Sequence, residues 1–253
     1  MLFFVLIAIL FLSACGQPKA ARVDVPPPPP PINTDASVPP SAHLPNSKTI
    51  ANPKPEATSD LAEPVLPPLA HPLATETGLA SWYGPPYHNR RGSNGEVYNM
   101  HAMTAAHRTY PLGSIVRVTN IKTGSTALVR ITDRGPFIRG RILDLSLAAA
   151  KQIDVYQPGV AEVKVELMQS GAFQDSPGKW AVQIGGFPHE TQAAKLSDHL
   201  KRRYHTAKVQ TFPSPAGDWW IRIRVPDDDH SRAQKLADET QTSEGAVFLV
   251  RLD

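Results

Sequence analysis

The sequence predicts two small folded domains, a mostly β barrel and then an α+β unit of order βαββαβ, behind a long segment that stays out of any core. Three observations carry this. Sixteen of the 26 prolines lie between Pro18 and Pro72, and no Phe, Trp or Tyr occurs from Gly16 to Ser81. From Gly78 onward aromatic residues return and apolar residues begin to alternate with polar ones, the period of a half-buried strand. Beyond Gly178, strand-period and helix-period segments follow one another in an order that builds an antiparallel sheet with both helices on one face.

The first 14 residues are almost wholly apolar and end in small residues before Cys15, the single cysteine. The run falls short of the about 20 residues that cross a bilayer as a helix, and has the length of a secretory signal core. Leu12-Ser13-Ala14-Cys15 resembles a bacterial lipobox. That resemblance implies cleavage after residue 14 and acylation of Cys15. Gly16 in place of an aspartate implies sorting to the outer membrane in a cell that has one, with the cell membrane as the alternative and the chain facing the periplasm. One cysteine rules out an intrachain disulfide and a cysteine-cluster metal site. Residues 15–77 cannot bury enough apolar surface to fold. As a flexible coil they span on the order of 40–50 Å, stiffened by Pro26 to Pro31.

The barrel is expected over residues 78–171. Ile115 to Thr119 and Ala127 to Ile131 read as strands joined by a turn at Asn120 to Gly124, and Val160 to Met168 alternates likewise. Leu145 to Ile153 reads as a short helix that Asp144 and Ser146 are placed to cap. This segment holds eleven basic and six acidic residues, a net +5. The basic residues are dispersed and no nucleic-acid motif is present, so no nucleic-acid partner is expected. There is no phosphate-binding loop, dinucleotide fingerprint or Gly-x-Ser-x-Gly elbow. The nine histidines are scattered, and His101 with His107 lacks metal-ligand spacing, so neither a metal nor a cofactor is expected.

Six strings in this stretch are Gly78-Leu-Ala-Ser-Trp-Tyr-Gly84, Asn94-Gly-Glu96, Thr104-Ala-Ala-His107, Val118-Thr-Asn120, Asp133-Arg-Gly-Pro-Phe137 and Arg141-Ile-Leu-Asp-Leu-Ser146. In content and order the segment resembles the rare lipoprotein A (RlpA) family. The resemblance implies a six-stranded double-psi β-barrel. It also implies a lytic transglycosylase, a lyase that cuts peptidoglycan glycan strands and leaves anhydro-muramyl ends. Such chemistry needs a carboxyl that protonates the leaving oxygen and later accepts a proton. By position Glu96, His107 and Asp133 match the family's catalytic set. Asp144 matches the aspartate that related barrels use. Asp133 also reads as a turn residue paired with an arginine, and Asp144 as a helix cap. Trp82, Tyr83 and Tyr87 serve either sugar stacking or the core. The chain departs from the family at Gly92-Ser93, where Thr-Ala is usual, and at Asn99, where an aspartate is usual.

Residues 178–253 open with Trp180-Ala-Val-Gln-Ile-Gly-Gly-Phe187. Helices are expected over Glu190 to Tyr204 and from a capping box at Ser231 to Gln234. Strands are expected at Val209 to Phe212, Trp219 to Val225 and Ala246 to Leu252. If Ile221, Ile223 and Val225 face the helices, alternation puts Trp220, Arg222 and Arg224 on the open face with Gln183. An aromatic beside amide and guanidinium donors suits a sugar polymer. The segment resembles the SPOR domain, which binds peptide-stripped glycan at division septa. Expected partners are therefore glycan strands, the membrane through the lipid, and division proteins. A septal wall-binding lipoprotein without activity, and expansin-like loosening without cleavage, stand as alternatives.

Overall fold

The computed structural model describes residues 62–66, 70–172, 176–240, 242 and 245–253. The expected signal peptide, the lipidation site Cys15 and the proline-rich stretch through residue 61 lie outside the described residues.

Six strands form the first domain: β1 (Ala74–Trp82), β2 (Thr104–His107), β3 (Ile115–Asn120), β4 (Thr126–Asp133), β5 (Arg141–Leu145) and β6 (Val160–Gln169). They close into a barrel in the order β1, β5, β2, β4, β3, β6. β1 with β5 and β2 with β4 run parallel, and the other neighbours antiparallel. The alternation read in the sequence fills the interior: Val116, Val118, Val129, Ile131, Leu143, Leu145, Val163 and Val165 are fully buried. Burial of each such side chain stabilises by roughly 1.5–3 kcal/mol. Asn120 turns the β3–β4 hairpin, its side-chain oxygen accepting the backbone N–H of Lys122 at 3.0 Å.

β1 starts four residues ahead of the expected boundary at Gly78, because Ala74 to Thr77 pair with Leu167 to Lys164 of β6. The helix α1 (Leu147–Gln152) is shorter than the sequence predicts. Leu145 completes β5, and Ser146 caps α1 by accepting the N–H of Ala149. Asp144 belongs to β5 and takes no part in the cap.

The second domain runs β7 (Trp180–Phe187), α2 (Glu190–Arg203), β8 (Lys208–Pro213), β9 (Trp219–Arg224), α3 (His230–Glu239) and β10 (Ala246–Arg251). Its antiparallel sheet has the order β10, β7, β9, β8. Val182, Ile184, Phe187, Ile221 and Ile223 pack with Ala193 and Leu200 of α2 and Ala233 and Leu236 of α3. α3 is capped by Asp229, which accepts the N–H of Arg232 at 2.8 Å; the box predicted at Ser231 does not form because the helix has already begun at His230.

Alternation along β7 and β9 puts Gln183, Trp220 and Arg222 on the sheet face away from the helices. That face is not open as expected. It meets the barrel, with the Phe137 ring 5.2 Å from Trp220 and 5.8 Å from Phe248.

Candidate active site

Register in the barrel brings two carboxylates to one level. Ala106 of β2 pairs with Asp144 on one side and with Asp133 on the other. Two strand spacings separate the aspartates, about 10 Å between backbones. The pairing of β2 with β4 slips between Ala105 and Ala106, skipping Thr132. Without that bulge Asp133 would share the inward face of Ile131; the extra residue re-aims it to the side of Ala106. Asp144 needs no such device, since it alternates with the buried Leu143 and Leu145. The methyl of Ala106 leaves the floor between the two acids low.

Both aspartates and Ala106 line a cavity of about 630 Å³. Around it stand Tyr83, Tyr87 and Tyr98 from the segment after β1, the Arg134–Ile138 loop, and Trp220 and Arg222 from the second domain. Gly135 has φ +148°, a conformation open to glycine, and a Cβ there would lie 3.9 Å from Asp144 Oδ2.

The surroundings of the two acids differ. Asp144 is 14 % exposed, accepts the Ser81 hydroxyl at 2.7 Å and lies 3.3 Å from an Arg141 nitrogen. Burial pushes its carboxyl above the usual range; Arg141, Ser81 and Arg108 oppose this, and the charge of Asp133 adds to it. Asp133 instead receives three donors on one oxygen: the Ser93 N–H at 2.9 Å, the Ser93 hydroxyl at 2.5 Å and the Arg134 N–H at 2.8 Å. One carboxyl is thus disposed to hold a proton, and the other is tied down as an acceptor.

Glu96 and His107 are not brought to the cavity. Glu96 is 57 % exposed; its Oε2 accepts Asn94 Nδ2 at 2.6 Å and Arg130 Nη2 at 2.9 Å. Its neighbours Gly92 and Ser93 line the cavity, while its own carboxylate turns to Arg130. His107 is buried, with Nδ1 accepting the N–H groups of Thr109 and Tyr110, and Nε2 2.7 Å from Glu76 Oε1. Its carbonyl accepts Arg134 Nη1 at 3.1 Å, beside Asp133.

On the second domain Gln183 accepts Arg222 at 2.8 Å, and the Arg222 guanidinium lies 5.0 Å from the Phe212 ring centre. Arg224 pairs with Asp228 and does not line this cavity. Among the described residues no group of three His, Cys, Asp or Glu could hold a metal ion.

Sequence reading offered an arginine for Asp133 but missed Ser81, Ser93, Arg141 and Glu76 as partners of these groups. Ser81, Arg134 and Arg141 stood inside the quoted strings, so their signal was present. Glu76 lay in the expected linker and had none.

Residues 75–165 match the family described as lytic transglycolase, and residues 176–250 match the SPOR domain. The endolytic peptidoglycan transglycosylase RlpA of Helicobacter pylori is 39% identical over 152 residues, covering 49% of this chain and 48% of that protein. The protein of that name from Campylobacter jejuni is 38% identical over 150 residues, 59% of this chain and 54% of the relative. That of Pseudomonas aeruginosa is 37% identical over 172 residues, 67% and 50%. The chain thus spans about half the length of these relatives. It carries a region matching the lytic transglycolase family followed by one matching the SPOR domain, and over these regions it is similar to the RlpA proteins.

Proposed function

We propose that the protein is a peptidoglycan lytic transglycosylase, with Asp144 as its acid and Asp133 as the fixed carboxylate. One observation carries the reading: the two aspartates flank Ala106 in a single cavity, and burial favours the protonated form of Asp144. Asp144 gives its proton to the glycosidic oxygen as the bond to C1 of the muramyl sugar breaks. Asp133, held by Ser93 and the Arg134 backbone, stabilises the positive charge that develops at C1. The C6 hydroxyl of the same sugar then bonds to C1 and returns a proton to Asp144. The products are a free hydroxyl on the leaving sugar and a 1,6-anhydro ring. No water is consumed and the acid is regenerated.

In this proposal Glu96 and His107 hold loops, the first through Arg130 and the second through Thr109 and Tyr110. The SPOR domain directs the protein to septal, peptide-stripped glycan, where division proteins are its neighbours. A lipid on Cys15 tethers it in the envelope, on the outer membrane facing the periplasm. The relatives carry the name endolytic, and cleavage within strands is the corresponding expectation.

Digestion of purified peptide-free glycan strands, read by mass spectrometry, tests this. Anhydro-muramyl products from the wild type and none from Asp144→Asn support it. No product from the wild type would leave wall binding, or loosening without cleavage, as the function. Retained cleavage in Asp144→Asn with loss in Glu96→Gln would move the acid to Glu96.

A further inference from the structure

The surface that Trp220 and Gln183 retain is small. Trp220 is 8 % exposed, held between Gly185, where a Cβ would meet its ring at 2.5 Å, and the barrel's Phe137. Gln183 is buried and engaged by Arg222. Both nevertheless line the cavity that holds Asp133 and Asp144, as do Arg222, Phe212 and the Pro213–Pro215 turn. A sugar that reaches these residues therefore enters the cleft of the barrel.

The docking of the two domains is built from the main chain as well as from rings. Arg251 N donates to Arg108 O at 2.9 Å, and Leu112 N donates to Asp253 O at 3.2 Å. Arg134, adjacent to Asp133, donates to the same Asp253 oxygen at 2.5 Å. Charges also meet across the boundary. Asp133 of the barrel steadies the Arg222 charge against burial, and the Tyr87 phenol is raised by burial and then by Asp144 and Asp218, one from each domain. At about 630 Å³ the cavity falls within the range that encloses most of a ligand's surface. Its walls alternate aromatic faces with guanidinium and carboxylate groups, the mixture that grips sugar rings and their hydroxyls.

We infer that one glycan strand is held by both domains at once, with Arg222, Trp220 and the Pro213–Pro215 turn acting as subsites of the cleavage cleft itself. This rests on the transglycosylase reading and extends it: the SPOR domain positions the bond to be cut as well as choosing where on the wall the protein sits. Arg222 is a positioning residue, set by Gln183 and Phe212 opposite Asp133. Holding the strand on both sides of the reacting sugar contributes binding shared by the bound strand and the transition state, so its loss falls on KM.

The experiment uses the full chain and soluble, peptide-free glycan strands, for which recruitment to a septum plays no part. Arg222→Ala is expected to raise KM at least tenfold with kcat changed less than threefold. Pro215→Trp, which puts bulk into the cleft from an exposed turn and leaves both cores intact, is expected to lower kcat/KM at least tenfold. Hydrogen exchange of the wild type with excess strands should protect 83–98 and 133–141 of the barrel together with 210–222 of the SPOR domain. In Arg222→Ala the barrel protection should weaken as well. Wild-type rates in both variants, or protection confined to one domain, would overturn the shared cleft. If the wild type yields no anhydro-muramyl ends yet protects both domains, the cleavage reading fails and the shared site stands.

Discussion

The imidazole Nε2 of His107 lies 2.7 Å from Glu76 Oε1, in a region of the barrel that does not line the cavity. Nδ1 accepts two backbone N–H groups, so the ring carries its proton on Nε2. The ring also stacks on Tyr110, with centres 4.0 Å apart. In the proposed mechanism His107 therefore passes no proton to substrate. It fixes the chain after β2, whose carbonyls at His107 and Tyr110 hold Arg134, the neighbour of Asp133. Its influence on the site is therefore by position.

This pair sets a pH dependence of stability. Burial lowers the His107 pKa below its ordinary 6.5, with Glu76 opposing. For Glu76, burial acts upward but His107, Tyr110 and Arg108 together hold its carboxyl below 4.5. Both folded values lie below the unfolded ones, so both contributions are complete above the unfolded pKa and are lost as pH falls. Thermal unfolding should show Tm declining below about pH 6.5, and further below about 4.5. His107→Gln should lower Tm at pH 7 and narrow the gap to wild type by pH 5. A constant gap across that range would remove His107 as the titrating group.

Asp144 gives the opposite sign. Its folded pKa is raised, so its contribution to stability is present in acid and is lost as pH rises through the folded value. At neutral pH, Asp144→Asn should unfold at the wild-type temperature or above it. The same change should lower cleavage by about 10²–10⁴-fold. Wild-type kcat/KM should fall as pH rises through the pKa of this acid. An alkaline limb that persists unchanged in Asp144→Glu would assign the limb to another group.

Much of this arrangement was legible in the sequence. Alternation located most of these strands because β-branched residues recur at every second position, as Val116 and Val118, Val129 and Ile131, Val182 and Ile184, and Ile221 and Ile223. β2 escaped because Thr104-Ala-Ala-His107 shows no alternation, and β5 because Leu145 at its end reads as the start of the helix that follows. Asp133 and Asp144 were legible as candidates, but not as a pair. Their proximity depends on the closed strand order and on the slip at Thr132, both products of long-range pairing. Glu96 was legible only through its place in a family string; the loop presents Ser93 to the cavity and turns Glu96 to Arg130. The face bearing Trp220 was identified by alternation, and its covering by the barrel was not, since nothing within one domain specifies how another docks.

Glu96 offers a direct comparison with Asp144. Its ion pair with Arg130 is 57 % exposed on the carboxylate side, where such pairs contribute at most about 1 kcal/mol. Glu96→Gln keeps the shape and the Asn94 contact. Cleavage by this variant should fall less than tenfold, with Tm shifted by no more than a few degrees. A loss as large as that of Asp144→Asn, at wild-type Tm, would place Glu96 in direct contact with substrate.

Arg134 connects the loop that follows Asp133 to the second domain, and its loss should be felt in both. The residue is buried; its guanidinium donates to His107 O, Tyr110 O and Asp253 O, and burial brings its pKa down to about 10, still charged at pH 7. Arg134→Met keeps the stem and strands three carbonyls, each costing about 1–3 kcal/mol where water cannot reach it. With water reaching some of them, a net loss of about 2–4 kcal/mol is expected, lowering Tm by about 5–15 °C for a folded unit of this size. Arg134→Lys should recover only part of this, because a single ammonium cannot span the two directions that the planar fork serves. The diagnostic readout is limited proteolysis between residues 170 and 179. Cutting there should accelerate in Arg134→Met below its Tm, as the SPOR domain lets go of the barrel. A destabilised variant cut no faster than wild type would confine Arg134 to the barrel and leave the docking to Phe137, Trp220 and the main-chain bonds.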